Sequence, residues 1–274
     1  MKTFILILSL FVFHPILAST TGFLFFGDAG TGKPAQYRVA KSMVKFCENN
    51  PCDFVSLLGD NFYPSGVSGV NDPLWKKAFE TPYKDLKIPF YVALGNHDYK
   101  GDVDAQIKYS KKSKIWKMPS QYYSFTHGEI DFFVLDTNHF NKTQRIWLED
   151  AIKKSENTWR IVVGHHPIYS YGGHGNSDEL KSELLPIIEG EVDFYLAGHD
   201  HSKQVIEKKS SDITYIVSGA AGQTESLQMN RGAIYTSPSL GFAHLLITKN
   251  KAILKILDEK GDIDYTQTLF PIQR

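Results

Sequence analysis

The chain is poor in cysteine, with Cys47 and Cys52 the only two among 274 residues. That scarcity excludes a disulfide-built scaffold. A chain of this length needs none, since folding hides about three quarters of its unfolded surface. No His or carboxylate motif accompanies either thiol, which argues against a thiol nucleophile. The two flank Glu48–Pro51, between an expected helix end and strand start. A small disulfide loop and a pair of reduced core residues both fit that position.

An excess of charge of either sign is also missing. Lys plus Arg and Asp plus Glu both number 30, so there is no basic field to attract nucleic acid or an anionic membrane. Long apolar runs are confined to the amino terminus. Lys2 precedes the apolar stretch Phe4–Phe13, and Ala18-Ser19 offers small residues for cleavage. Residues 1–18 read as a secretory signal, although Ile16 departs from the small-x-small rule and His14-Pro15 interrupts the run. The alternative of an uncleaved anchor is disfavoured because spanning a bilayer takes about 20 residues. The expected product is an exported protein of residues 19–274, without stable membrane insertion. No linker, low-complexity tract or internal repeat divides it, so one domain is expected.

What the sequence does have is a recurrent strand ending. Five apolar runs close on glycine followed at once by a residue that can bind a metal: FLFFG before Asp28, VSLLG before Asp60, YVALG before Asn96, RIVVG before His165 and FYLAG before His199. The runs are short and rich in Phe, Val, Ile, Leu and Tyr, as buried strands are. Helical periodicity marks Pro34–Glu48 and Thr143–Ser155, with weaker signals over Asp72–Tyr83 and Asp102–Lys112 and one over Asp178–Glu189 until Pro186. Gln121–Thr126 and Ile130–Thr137 read as a hairpin. From Ile213 onward strands dominate (Ile213–Ser218, Gly241–Thr248, Ala252–Leu257, Tyr265–Leu269), around a long irregular loop from Ala220 to Ser239. Strand followed by helix, repeated, indicates an α/β layered fold. Open α/β sheets place their sites at the carboxyl ends of strands.

The donor chemistry narrows the metal. Asp28, Asp60 and Tyr63 are hard oxygen donors, Asn96 offers a carbonyl oxygen, and His165, His199 and His201 offer imidazole nitrogens. Such a set suits Fe, Mn or Zn, and the lack of thiolates argues against structural zinc. Asp60 is able to bridge two cations. In the His199-Asp200-His201 triplet, both imidazoles approach from neighbouring positions while Asp200 points elsewhere.

Asp28-Ala29-Gly30, Gly59-Asp60-Asn61-Phe62-Tyr63, Gly95-Asn96-His97-Asp98, Val162-Val163-Gly164-His165 and Gly198-His199-Asp200-His201 resemble, in order and spacing, the small tartrate-resistant type of purple acid phosphatase, within the calcineurin-like metallophosphoesterases. The likeness runs from about Phe23 to Phe270. It implies two packed mixed sheets flanked by helices, a four-layer α-β-β-α sandwich. It also implies hydrolysis of phosphate monoesters by a metal-bound hydroxide. Asp28, Asp60, Tyr63 and His201 would hold ferric iron; Asp60, Asn96, His165 and His199 would hold divalent Fe, Zn or Mn. Most relatives in the wider superfamily begin with Asp-x-His, whereas Gly30 stands here and the Tyr63 phenolate would take the vacated position.

By the same resemblance His97 is a phosphate-binding group, and His174, in Gly172-Gly173-His174-Gly175, a donor of the leaving-group proton. Imidazoles in general titrate near pH 6.5, which suits that role in mild acid. Alternation along the strand is expected to turn His166 away, as a structural or rim-lining residue. His127, His139 and His244 read as surface or satisfied side chains, and Asp98 as an orienter of His97. Asn141 begins a glycosylation sequon. Mammalian relatives insert a repressing loop after Asp136 that is cut on activation; this chain reaches its next helix within a few residues, which implies activity without proteolysis. A monomer acting on a phosphate ester is expected. A phosphodiesterase or nucleotidase using the same site, and a non-catalytic metal-binding surface protein, are the competing readings.

Overall fold

Apolar runs that alternate with amphipathic stretches fold into two sheets with helices outside them. The computed structural model describes residues 20–227 and 232–274; the expected leader lies outside these. In chain order the elements are β1 (Thr21–Phe26), α1 (Pro34–Cys47), β2 (Phe54–Leu58), β3 (Phe90–Ala93), α2 (Val103–Tyr109) and β4 (Trp116–Lys117). Then come β5 (Tyr123–His127), β6 (Ile130–Val134), α3 (Lys142–Lys153), β7 (Trp159–Val163), α4 (Asp178–Glu183), α5 (Leu185–Ile188) and β8 (Phe194–Ala197). The chain ends with β9 (Lys203–Ile206), β10 (Thr214–Ser218), β11 (Tyr235–Ser237), β12 (Gly241–Ile247), β13 (Ala252–Asp258) and β14 (Ile263–Leu269).

One seven-stranded sheet runs β14-β13-β12-β1-β2-β3-β4, and the other, also of seven strands, runs β11-β9-β10-β8-β7-β6-β5. β1 to β4 are parallel to one another, as are β6, β7, β8 and β10, while the remaining strands pair antiparallel. Both sheets are therefore mixed. Aromatic side chains lock their inner faces together: Phe132 of β6 meets Phe23 of β1 edge-on at 5.3 Å and Phe54 of β2 at 5.4 Å. Phe46 of α1 packs on Phe242 of β12, covering the first sheet. Leu148, Ile152, Leu180 and Leu184 of the α3–α4 side bury against Val162, Tyr195 and Tyr215 of the second. The expected four layers are present.

Two local expectations need correction, at Asp72–Tyr83 and in the long loop. The stretch Asp72–Tyr83 holds only a π-helical turn, Trp75–Glu80, whose Trp75 stacks on Tyr109 at 3.5 Å. The helix expected from Asp178 until Pro186 is present as α4 and ends at its cap Leu184, after which Pro186 sits in the first turn of α5, where its missing N–H costs no ladder bond. The irregular loop contains β11, paired with β9. Cys47 and Cys52 are joined in a disulfide, which resolves the alternative left open by spacing. Among the described residues no helix is long and apolar enough to cross a membrane.

A buried cation ties the sheets at one edge. Lys203 of β9 is fully buried, and its Nζ donates to Leu257 O at 2.9 Å and Asp264 Oδ2 at 2.7 Å, on β13 and β14. Burial holds this ammonium below its ordinary pKa, with Asp264 opposing that effect. Removal of one partner strands the other charge. Asp264→Ala should cost about 2–3 kcal/mol, less than for a fully enclosed pair because Asp264 is partly exposed. Urea unfolding should show Lys203→Met/Asp264→Leu recovering most of that loss; equal losses would deny the pair this role.

Candidate metal centre

The carboxyl ends of β1, β2, β3, β7 and β8 meet where the two sheets come together, and each strand turns sharply there. Asp28, Asp60 and His199 have φ of +58°, +52° and +70°, a left-handed conformation that costs side-chain-bearing residues about 1–2 kcal/mol each. Such strain concentrates at functional sites. The preceding glycines have a packing cause. A Cβ on Gly59 would lie 2.6 Å from His165 Nδ1, one on Gly95 2.2 Å from Asp60 Oδ1, and one on Gly198 2.6 Å from Asp28 Oδ2. Each glycine clears the space into which another strand's polar side chain projects.

Two clusters of donor atoms result. Tyr63 Oη lies 3.0 Å from Asp28 Oδ1, 2.8 Å from Asp60 Oδ2 and 3.2 Å from His201 Nε2. His165 Nε2 lies 3.1 Å from Asn96 Oδ1, 3.2 Å from His199 Nδ1 and 3.5 Å from Asp60 Oδ1. The two Asp60 oxygens thus face different clusters. Gly30 explains how Tyr63 enters the first: a Cβ there would sit 1.9 Å from Asn61 O, and the Tyr63 amide donates to Gly30 O at 2.8 Å. Asp28 also accepts from the His199 amide at 2.8 Å, tying β1 of one sheet to the turn after β8 of the other.

The electrostatics oppose leaving these atoms by themselves. Burial pushes the Asp28 carboxyl up to about 7, against a hydrogen bond from His201 that lowers it. Burial, then the charges of Asp28 and Asp60, raise the Tyr63 phenol. Burial holds His165 well below its ordinary value. Burial followed by neighbouring imidazoles drives His199 down to about 2. His201 is raised, because the Asp28 hydrogen bond and charge outweigh its burial. His165 Nδ1 lies 2.8 Å from Leu58 O and must donate there. Its Nε2 is then a lone pair aimed at oxygen lone pairs. Cations between these atoms turn repulsion into coordination, reverse the upward shifts of Asp28, Tyr63 and His201, and favour the neutral imidazoles that burial already imposes on His165 and His199. The residues fit a pair of metal ions.

All seven expected ligands therefore converge, and the two expected catalytic histidines border them. The His97 amide donates to Asp60 Oδ1 at 2.8 Å, and its ring lies 4.5 Å from that of Tyr63. The His174 ring lies 4.1 Å from that of His199. His166 does not turn away: it sits 4.5 Å ring to ring from His199, bonded to Thr137 Oγ1 at 2.9 Å. β7 has ended at Val163, so its alternation no longer governs. Asp98 does not orient His97; fully buried, it accepts from the amides of Asn61 and Gly95 and from the side chains of Asn61 and Gln106. It braces the ligand loops. Asp200 points away from the donor clusters and accepts from the His174 amide. His127 and His139 lie near the surface, and His244 is buried with Nε2 on Pro51 O at 2.8 Å. Lys100, with Nζ 3.3 Å from His97 Nδ1, Gln223, with Nε2 3.2 Å from His201 Nε2, and Glu225 were not foreseen. The last two sit in a loop noted only for its length.

The calcineurin-like phosphoesterase model matches residues 21–203. The chain belongs to that family. Purple acid phosphatase 7 of Arabidopsis thaliana is 34% identical over 93% of this chain and 89% of its own. Tartrate-resistant acid phosphatase type 5 of Homo sapiens is 30% identical over 81% and 80%. Among solved structures, GAP50, described as the anchor in the inner membrane complex of Plasmodium, superposes with a TM-score of 0.84 at 28% identity, over 93% of this chain and 90% of that one. Family and donor set together make this a metallophosphoesterase with a dinuclear centre. Asp60→Asn should therefore cost both ions together. Elemental analysis that finds one ion retained at full occupancy would contradict the shared carboxylate.

Proposed function

We propose that the chain is an exported acid phosphatase that hydrolyses phosphate monoesters at a centre of ferric iron and a divalent ion, Fe, Zn or Mn. The observation that carries this reading is the Tyr63 phenol oxygen within 3.2 Å of Asp28, Asp60 and His201 donors. A phenolate is a hard, electron-rich donor and favours a trivalent ion, which a plain His and carboxylate shell would not select so strongly. Asp28, Asp60, Tyr63 and His201 would hold the ferric ion; Asp60, Asn96, His165 and His199 would hold the divalent one.

When bound, the pair supplies a lowered pKa for water and a clamp on phosphoryl oxygens. The chain's own side chains supply the rest. Asp60 fixes the separation of the two clusters, and its bond from the His97 amide ties that spacing to the imidazole beside it. His97, with Lys100 against its ring, lies where an ester oxygen would need positive hydrogen-bond donors. His174, packed on His199 and exposed on its outer side, would give a proton to the departing alkoxide. The Cys47–Cys52 disulfide supports an oxidising compartment, in keeping with the leader. The likeness to an anchor protein does not favour a non-catalytic role, because function follows the site and every donor type is present here.

In the purified mature protein, Tyr63→Phe should abolish the visible absorption band and leave the circular dichroism of the fold unchanged; an unaltered band would remove Tyr63 from the ferric shell. Turnover of 4-nitrophenyl phosphate should exceed that of bis(4-nitrophenyl) phosphate by at least about tenfold, and the reverse order would establish a phosphodiesterase instead. Limited trypsin treatment should give no large gain in rate, since Asp136 leads to α3 through five residues without an inserted loop.

A further inference from the structure

We propose that Asp200 and Glu225 form a carboxyl pair that positions His174 to protonate the leaving group. The proposal rests on the reading of His174 as the proton donor. Neither acid belongs to the donor clusters around Tyr63 and His165.

The loop that carries His174 is closed at its base by its own side chains, the Ser170 amide donating to Asn176 Oδ1 and the Gly172 amide to Ser170 Oγ, each at 3.0 Å, while its tip at Gly173-His174 is held from outside. It runs through Gly172, Gly173 and Gly175, and Gly173 and His174 are exposed. Glycine backbones lose the most freedom when fixed, so one conformation here needs outside partners. Asp200 Oδ1 accepts from the His174 amide at 2.9 Å. Glu225 Oε1 accepts from the Gly173 amide at 3.3 Å and from the His201 amide at 3.0 Å. The Glu225 amide returns a bond to His201 O at 3.0 Å. The loop is seated directly on the acids: a Cβ on Gly172 would lie 2.3 Å from Asp200 Cγ, and one on Gly173 3.4 Å from Glu225 Oε2. Carboxyl oxygens of both residues and a ring nitrogen of His174 lie within 4.8 Å of one another.

Three segments that are remote in sequence are thereby cross-tied: the loop after β7, the turn after β8 and the loop after β10. The consequence is geometric. His174 is presented over His199, ring centroids 4.1 Å apart, instead of sampling solvent. Both acids hydrogen-bond metal-proximal residues through backbone amides and not through the ligand rings, so loss of Glu225 should disturb the proton donor more than the ions. Glu225 and Asp200 are positioning residues that act through His174.

A positioned proton donor contributes about 100- to 10,000-fold, and most where the leaving group is a poor one. Kinetics on 4-nitrophenyl phosphate, phenyl phosphate and an alkyl phosphate should separate the roles. Glu225→Ala is expected to lower kcat on the phenyl and alkyl esters about tenfold or more beyond its effect on the nitrophenyl ester. KM should change little, and metal content should match that of the unaltered protein. Glu225→Gln, which keeps an acceptor for the two amides, should restore most of the loss. In a His174→Ala background, Glu225→Ala should add nothing. Amide hydrogen exchange at Gly173 and His174, read on metal-free and loaded protein, should quicken in Glu225→Ala. A loss equal across the three esters, additive effects of the two substitutions, or unchanged exchange would overturn the proposal. If His174→Ala itself shows no dependence on the leaving group, the proton-donor assignment falls and takes this inference with it. If His174→Ala shows that dependence and Glu225→Ala does not, only the carboxyl pair falls.

Discussion

The structure depends on one electrostatically costly convergence: acceptor atoms from both sheets brought within hydrogen-bonding distance of each other, with Asp60 between them. Oxygen and nitrogen lone pairs this close repel in a buried setting. The fold meets that cost with packed sheets, with left-handed turns at Asp28, Asp60 and His199, and with glycines where any side chain would collide. Bound cations then stabilise the folded state, because the unfolded chain has no such arrangement to offer them. The Asp98 bonds to Asn61, Gly95 and Gln106 show how the surrounding layer fixes the ligand loops without touching the donor clusters themselves.

Strong periodicity makes much of this legible in the sequence. The five Gly-terminated runs are strands because buried parallel β-structure needs continuous apolar sequence, and their next residues are ligand candidates because the chain turns there. The π-helical turn at Trp75–Glu80 was not readable, since Trp75, Ala78 and Phe79 keep an apolar face compatible with an ordinary helix. β4 spans only Trp116–Lys117 and leaves no periodicity to detect. Strand alternation misplaces His166 because β7 ends at Val163 and the pleat does not extend to it. The contribution of Glu225 lay beyond sequence reasoning for another reason. Its partners, Gly173 and His201, lie far away in the chain, and a lone acid in a loop carries no pattern.

The order of the elements also explains how one site draws on both sheets. β1 supplies Asp28 and β2 supplies Asp60 from the first sheet, while β7 and β8 supply His165 and His199 from the second. Aromatic contacts such as Phe23 on Phe132 set the distance between those layers. A change in inter-sheet packing would therefore act on metal geometry at a distance. The entry of Tyr63 into the first donor cluster is likewise a local matter, since Gly30 and the Gly59–Tyr63 turn are in direct backbone contact.

Two cations sharing the Asp60 carboxylate would be seen in anomalous diffraction from crystals of the metal-loaded protein. Two peaks about 3.5–4 Å apart, with one Asp60 oxygen directed to each and the Tyr63 oxygen on one of them alone, are the predicted result. A single peak, or two peaks of which neither contacts Asp60, would contradict that sharing.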